Sequence, residues 1–278
     1  MSFISYLKDG ISLGSIYAII ALGYTMVYGI AKMLNFAHGD VIMVGAFVIL
    51  TAVTRGGMGP VSAVILSVVV CTVLGVVIEK VAYRPLRKAS SNLALLIFGA
   101  DAKSFVTVID VPSVTLFGGQ LVIKGITIVT IVVSVVIMVA LTWFVRKTKP
   151  GRAMQAVSED RDAAQLMGVN VNATISLTFA IGSGLAAIAG LLLCSAYPTL
   201  TPYTGAMPGI KAFVAAVFGG IGSIPGAMVG GILLGIIEIF GKAYISSQVA
   251  DAIVFAVLIV VLLVKPTGLF GKNIQEKV

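Results

Sequence analysis

The sequence is poor in charge. Only 11% of its 278 residues are Asp, Glu, Lys or Arg, whereas soluble domains carry about 25%. Hydrophobic residues make up 59% of the chain, and its mean hydropathy is +1.10. This balance excludes a soluble globular protein, and the chain lacks the alternating ten-residue segments of a membrane β-barrel. We therefore expect an all-α, polytopic helical membrane protein.

Cysteine and histidine are also scarce, which excludes several kinds of site. Cys71 and Cys194 both lie in apolar runs, so no disulfide is expected, and His38 is the one histidine. The sequence therefore offers no metal site and no Ser/His/acid trio. It has no Walker A motif either, since Lys242 is followed by Ala243 instead of Ser or Thr. We expect no catalysis, no metal and no cofactor in this chain. If ATP is used, another subunit must hydrolyse it.

The apolar runs predict about eight transmembrane segments in a single domain, residues 1–278. The loop 197–208 contains three prolines and is not expected to be regular helix. The apolar stretch 209–241 is interrupted by a Gly/Pro turn at 219–226, so it is read as two short helices. The predicted spans are 11–30, 36–54, 60–78, 125–145, 173–196, the two helices within 209–241, and 249–264.

Basic loops predict how the chain is oriented. The segments 79–88, 146–172 and 265–278 are rich in Lys and Arg, which places them in the cytoplasm, and 101–124 then lies outside. The net charge of +8 is read as a record of this orientation and not as a nucleic-acid surface. Two loops on the same side of the membrane must be separated by an even number of crossings. Between the first two basic loops, however, only 125–145 is long enough to cross the membrane. We therefore predict that one span is missing near residues 93–105.

A charged island stands out at residues 146–172. It holds eight of the chain's 30 charged residues and the pattern Asp162-Ala163-Ala164-x-x-x-Gly168. A solvated cytoplasmic loop with no partner is the plainest interpretation of the charge alone. The pattern itself resembles the Glu-Ala-Ala-x-x-x-Gly signature by which permeases of bacterial ABC importers contact their ATPases. This resemblance favours a docking surface for a soluble partner.

Two further segments are candidates for the translocation pathway or its gating. Asn35, His38 and Asp40 gather near the start of the second span, where polar groups mark either a pathway or a helix start. In the alternative interpretation Asn35 caps the helix and the other two lie at the membrane interface. Irregular backbone at Gly220, Gly222 and Pro225 either lines the pathway or is a structural break. Acids are scarce in the predicted spans, and Asp40 and Glu238, the latter near a helix end, are the ones considered for a proton relay, which argues against proton coupling.

The chain as a whole resembles the permease subunits of high-affinity branched-chain amino acid ABC importers, the LivH type. The resemblance covers nearly the whole chain, with its blocks in the family's order. The family carries a further apolar span after the basic loop, where this chain passes from Leu93–Ile97 directly to Phe98–Phe105. The matching passages are GSIYAIIALGYTMVYGIAKMLNFAHGD (14–40), EKVAYRPLR (79–87), GRAMQAVSEDRDAAQLMGVN (151–170), KAFVAAVFGGIGSIPGAMVGGILLGIIE (211–238) and KPTGLFG (265–271).

The resemblance implies a multi-pass protein of the bacterial cytoplasmic (inner) membrane, in contact with lipid and not with nucleic acid. It implies a second, LivM-type permease, a periplasmic or extracytoplasmic substrate-binding protein, and two ABC ATPases that bind ATP and Mg. Leu, Ile or Val would cross by ATPase-driven alternating access. A short helix within 152–168 would seat in the ATPase through Arg152, Glu159, Arg161, Asp162, Ala163, Ala164 and Gly168. The alternatives are an ABC permease for urea, amides or a sugar, and a secondary transporter, which the absence of a clear internal repeat disfavours.

Overall fold

A computed structural model describes residues 2–83, 102–116 and 121–271 of the chain. This part contains ten α-helices, of which eight are apolar, as the sequence predicts. Five are long enough to cross a membrane and three are shorter. The helices are α1 (Ser2–Ala31), α2 (His38–Thr54), α3 (Pro60–Val77), α4 (Gly125–Lys147), α5 (Lys149–Glu159), α6 (Arg161–Leu166), α7 (Val171–Ala196), α8 (Ala206–Gly219), α9 (Ile224–Tyr244) and α10 (Ala250–Val264).

Two helix starts differ from the prediction. Helix α1 begins at Ser2 instead of residue 11. The more polar residues that precede the apolar run belong to the same continuous helix. Its aromatic side chains there pack against α9, with the Phe3 and Phe240 rings 5.2 Å apart. Helix α8 begins at Ala206, inside the loop expected to be irregular, since Pro208 falls in the first turn, where a missing N–H costs nothing.

Short β-strands complete one end of the bundle, and the all-α prediction did not include them. Strand β1 (Lys103–Ser104) pairs antiparallel with β4 (Thr199–Leu200). Strand β2 (Val114–Leu116) pairs antiparallel with β3 (Leu121–Ile123). These pairs give hydrogen-bond partners to the backbone of the connecting loops, while the bundle itself is entirely helical.

Helices α1 and α9 form the centre of the bundle, where they run antiparallel with almost no side chain between them. A Cβ atom on Gly14 would lie 2.6 Å from the Cα of Ile232, and one on Gly231 would lie 2.5 Å from the Cα of Ala18. Gly235 packs directly against the backbone of Gly14. Glycine at these positions allows the close helix contact that membrane bundles depend on.

The bundle has two distinct ends. We call the end at Ala31, Lys147 and Val171 the inner end, and the end that holds the strands the outer end. All described parts of the three basic segments lie at the inner end, as predicted. Glu79 accepts a hydrogen bond from Ser176 near the start of α7 (2.6 Å), and the Leu269 N–H donates to the carbonyl of Phe218 (2.9 Å).

The chain changes ends between Tyr83 and Lys103. Tyr83 ends a π-helical continuation of α3, Ile78–Tyr83, at the inner end, whereas Lys103 pairs with Leu200 at the outer end. A crossing is therefore required in this interval, which supports the crossing count made from the sequence. The predicted missing span itself falls mostly on residues 84–101, outside the described residues.

The missing span can be tested on protein purified from its own cell membrane. Trypsin cleaves after Lys88 and Lys103, so a continuous chain must give the fragment 89–103. We expect mass spectrometry not to find this fragment, and to find both of its ends joined to additional apolar sequence of about 20 residues, the length of one span. Detection of the intact 89–103 fragment would show that the chain is continuous and that no span is missing.

Candidate functional site

The charged island folds at the inner end into α5 and α6, which we call the inner helical pair. The expected three-turn helix outside the span is present as the 11-residue α5. The helix predicted within 152–168 is not continuous, because Asp160 adopts an extended conformation between α5 and α6. The Asp160 Oδ1 accepts hydrogen bonds from the N–H groups of Asp162 and Ala163, both at 2.9 Å, so Asp160 starts a new helix as its N-cap.

Gly168 terminates α6. Its φ of +84° lies in the left-handed region that glycine adopts without steric cost. The N–H of Val169 donates to the carbonyl of Ala164, and the N–H of Gly168 donates to that of Gln165, both at 3.0 Å. This pair of bonds is a Schellman motif, which satisfies the last carbonyls of the helix.

The two alanines of the motif face opposite ways. Ala163 is exposed, whereas Ala164 is buried within the chain. At the tip of the pair, Leu166 and Met167 are 89% and 85% exposed, an uncommon position for large apolar side chains on the aqueous side of a protein. The exposed residues therefore form a surface suited to a protein partner.

Arg161 connects the inner helical pair to the centre of the bundle. Its guanidinium group donates a hydrogen bond to the carbonyl of Ala31, the last residue of α1. A cation at a helix C-terminus satisfies a free carbonyl and interacts favourably with the helix dipole. The other charged candidates, Arg152, Glu159 and Asp162, are exposed on the pair.

His38 lies deep in the bundle, so the expectation that it lies at the membrane interface is wrong. Its ring packs on Tyr24 with centroids 4.6 Å apart, and a Cβ on Gly23 would lie 2.5 Å from its Cε1. The residue is only 1% exposed. The predicted cap is also wrong, because Ala37 occupies the N-cap position of α2 and Asn35 is buried before it. Asp40 is half-buried.

Helices α2 and α8 start next to each other in the interior of the bundle. A Cβ atom on Gly39, in the first turn of α2, would lie 2.7 Å from the carbonyl oxygen of Gly205, the N-cap residue of α8. Helix α2 runs from there to the outer end, where Phe47 packs with Leu200, and α8 runs to the inner end. Because both helices start inside the bundle and not at one of its ends, they are short, with 17 and 14 residues.

The Gly/Pro turn lies at the inner end, away from His38. Gly220 and Gly222 have φ values of +103° and +92°, and Pro225 lies in the first turn of α9. A Cβ atom on Gly29 would lie 3.1 Å from the Cα of Gly222. Because Gly23 and Gly29 are about 9 Å apart along α1, the structure does not bring the two groups of pathway candidates into contact.

Sequence reasoning missed a buried cluster of charges. Glu238 lies in the body of α9, with Lys211 Nζ at 2.8 Å and Lys242 Nζ at 2.5 Å from its Oε1, and the Tyr17 hydroxyl donates to its Oε2 at 2.9 Å. Lys211 also contacts Asp251 Oδ1 at 2.6 Å. The sequence feature that could have indicated this cluster is Lys211, a single cation in an apolar stretch. A buried cation in a membrane protein needs an acidic partner.

A cavity of about 260 Å³ opens onto this cluster from the outer end. Lys211, Glu238 and Lys242 form its polar wall, and Leu13, Leu193 and Met207 contribute apolar surface. Tyr197 lies at the cavity just beyond the end of α7. Burial, and then the charge of Glu238, raise the pKa of its phenol, so Tyr197 remains a neutral hydrogen-bond donor.

Comparison with known proteins gives a consistent family. A family model described as branched-chain amino acid transport system / permease component matches residues 6–262. The chain is 42% identical to the high-affinity branched-chain amino acid transport system permease protein LivH of Escherichia coli K12, over 99% of this chain and 98% of that protein. The chain belongs to this permease family.

Two further relatives agree with this assignment. The permease is 41% identical to BraD, a high-affinity branched-chain amino acid transport permease of Pseudomonas aeruginosa, over 99% of this chain and 98% of the relative. It is 28% identical to a probable LivH of Methanocaldococcus jannaschii, over 95% and 91% of the two chains. No solved structure matches the permease.

The length of the alignment bears on the missing span. The match to the Escherichia coli protein extends over 301 positions, 23 more than the 278 residues of this permease. At least 23 positions of that alignment therefore have no counterpart in this chain, which is about the length of one transmembrane helix.

The cap at Asp160 can be tested by replacing it with alanine. Loss of an N-cap costs about 1 kcal/mol, so we expect hydrogen exchange of the α6 amides to become roughly fivefold faster in the Asp160→Ala variant. Hydrogen-exchange mass spectrometry of the detergent-solubilised permease measures this. Glu159→Ala, which removes the same charge from an exposed neighbour, is the control and should leave α6 unchanged. Equal exchange in both variants would contradict the capping role.

Proposed function

We propose that this permease is the membrane subunit of a binding-protein-dependent ABC importer in the bacterial inner membrane. It carries the branched-chain amino acids Leu, Ile and Val inward by alternating access. The observation that carries this proposal is the 42% identity over nearly the full length of a branched-chain amino acid permease. ATP and Mg bind to two separate ATPase subunits, consistent with the absence of a Walker A motif in this sequence.

The inner helical pair is the proposed contact with one ATPase. Ala163, Leu166 and Met167 provide an uncharged exposed surface, flanked by Arg152, Glu159 and Asp162, whose charges fix the orientation of the partner. Ala164 and Gly168 support this surface from behind, one through packing and one through the turn that ends α6. The surface thus combines a low-profile apolar centre with a charged rim, as protein interfaces commonly do.

Movement of the ATPase would reach the membrane through Arg161. Its bond to Ala31 joins the inner helical pair to α1, which packs along α9 and touches His38 through Gly23 and Tyr24. The substrate pathway then passes the interior region of Asn35, His38 and Asp40. Gly220, Gly222 and Pro225, at the inner end of the bundle, would form the gate on the cytoplasmic side.

The remaining partners are a LivM-type second permease, a substrate-binding protein outside the membrane, and lipid. Helices α3 and α4 are largely exposed along their apolar length, including Val69, Val136 and Trp143. Such surfaces are suited to lipid or to the second permease. A permease for urea, amides or a sugar is the alternative within the same class, and a secondary transporter is the alternative outside it.

Reconstitution tests the proposed substrate and the dependence on ATP together. The permease, its partner permease, both ATPases and the binding protein are placed in liposomes, and uptake and ATP hydrolysis are measured. We expect leucine, isoleucine and valine to stimulate both activities, and urea, acetamide and fructose to stimulate neither. Leucine uptake without ATP would identify a secondary transporter, and stimulation by one of the other solutes alone would identify a different substrate.

The docking surface is tested by added volume at Ala163. Ala163→Trp places a large side chain on the exposed face of α6, where the isolated permease has room and a seated helix has none. We expect the ATPases to be lost on co-purification while membrane insertion stays normal. Ala164→Trp would be less informative, because Ala164 is buried and the change also disturbs the permease itself.

Ser247→Trp is the matched control, since it adds comparable volume to an exposed position at the outer end. Its co-purification with the ATPases should equal that of the unmodified permease. If the Ala163→Trp variant also retains the ATPases and full uptake, the inner helical pair is not the docking element.

A further inference from the structure

We propose that the charge cluster of Lys211, Glu238 and Asp251, with the cavity that opens onto it, binds the zwitterionic head group of an amino acid. Lys242, which contacts Glu238, is the fourth member of the cluster. Lys211 and Lys242 receive the α-carboxylate, and Glu238 receives the α-ammonium group. This inference rests on the proposed function and adds to it an outer substrate site within the permease.

The cluster is electrically balanced and its members share partners. Lys211 Nζ lies 2.8 Å from Glu238 and 2.6 Å from Asp251, while Lys242 Nζ lies 2.5 Å from Glu238. Lys211 and Glu238 are almost fully buried, whereas Lys242 and Asp251 are about 40% exposed. The cluster therefore contains two cations and two anions in direct contact, and Lys211, Glu238 and Lys242 are the members that line the cavity.

This arrangement suits a zwitterion better than an ion of one sign. Separating a buried ion pair is costly unless each charge gains a new partner. A carboxylate that binds the lysines and an ammonium group that binds Glu238 replace both lost contacts at once, and the net charge of the site stays unchanged. An amine or a carboxylic acid alone would leave one buried charge without compensation.

The start of α8 adds a second contribution to the carboxylate side. Thr204, Met207 and Pro208, around the first turn of this 14-residue helix, line the same cavity. The positive end of the helix dipole favours an anion at this position. Lys211, one turn further along α8, lies on the same wall and reinforces that preference.

The rest of the cavity wall fits an aliphatic side chain. Leu13, Leu193 and Met207 provide apolar surface beside the charges. The volume of about 260 Å³ equals that of roughly nine water molecules, enough for a small amino acid. The cavity lies at the outer end, so a substrate released by a binding protein would reach it before the interior region around His38.

The experiment uses the reconstituted importer described above, with three variants at the cluster. Lys211→Met and Glu238→Gln each change the net charge of the cluster by one, although Glu238 keeps Lys242 and Lys211 keeps Asp251 as a partner. The double variant Lys211→Met/Glu238→Gln restores the balance. Lys265→Met, an exposed lysine at the inner end, is the control. Uptake of radiolabelled leucine is compared with ATP hydrolysis stimulated by the liganded binding protein.

We expect both single variants and the double variant to lose at least about tenfold in uptake, while the control does not, because the double variant still lacks the substrate's partners. A role limited to folding predicts the opposite for the double variant, whose balanced charges would restore uptake. Restoration would overturn the proposal. Loss of leucine uptake by the unmodified importer would instead count against the proposed function.

A second measurement does not depend on how the variants fold. The unmodified importer is illuminated during turnover with photo-leucine, a diazirine analogue that keeps the zwitterionic head group, and labelled peptides are identified by mass spectrometry. We expect labelling on peptides that contain Leu13, Leu193 or Met207, and competition by excess leucine. Labelling confined to other parts of the permease would overturn the proposal.

Discussion

The contact between α1 and α9 is the constraint on which the other contacts depend. Because glycines let the two backbones touch, α1 lies in the centre of the bundle and meets most other helices along its length. Its outer part brings Tyr17 to Glu238, its middle part receives His38, and its last carbonyl binds Arg161. A bulkier contact would separate α9 from α1 and break the alignment of all three regions.

The apolar runs predicted the number of membrane helices, their approximate positions and the break at the Gly/Pro turn. These features follow from local chemistry, namely hydrophobicity, proline's missing N–H and glycine's access to positive φ. The strands, the break at Asp160 and the depth of His38 were not predicted, because each depends on residues distant in sequence or on competition between two helix ends.

The charge cluster also depends on residues that are distant in sequence, so the sequence pattern did not predict it. The sequence pattern places Glu238 near a helix end and does not indicate Lys211 as its partner. Only the antiparallel packing of α8 and α9 brings these residues, 27 positions apart, within 2.8 Å. A count of charges in each span indicates that a partner is needed, whereas the helix arrangement decides which residue it is.

The adjacent starts of α2 and α8 have a consequence for the integrity of the membrane barrier. Two helix N-termini face each other near Gly39 and Gly205, so the positive ends of both dipoles converge inside the protein. These dipoles favour negative charge between them, and Asp40, half-buried in the first turn of α2, is the acid placed there. On the proposed pathway, a solute without net charge would pass this region more readily than a small cation, which would help to keep the membrane barrier intact during transport.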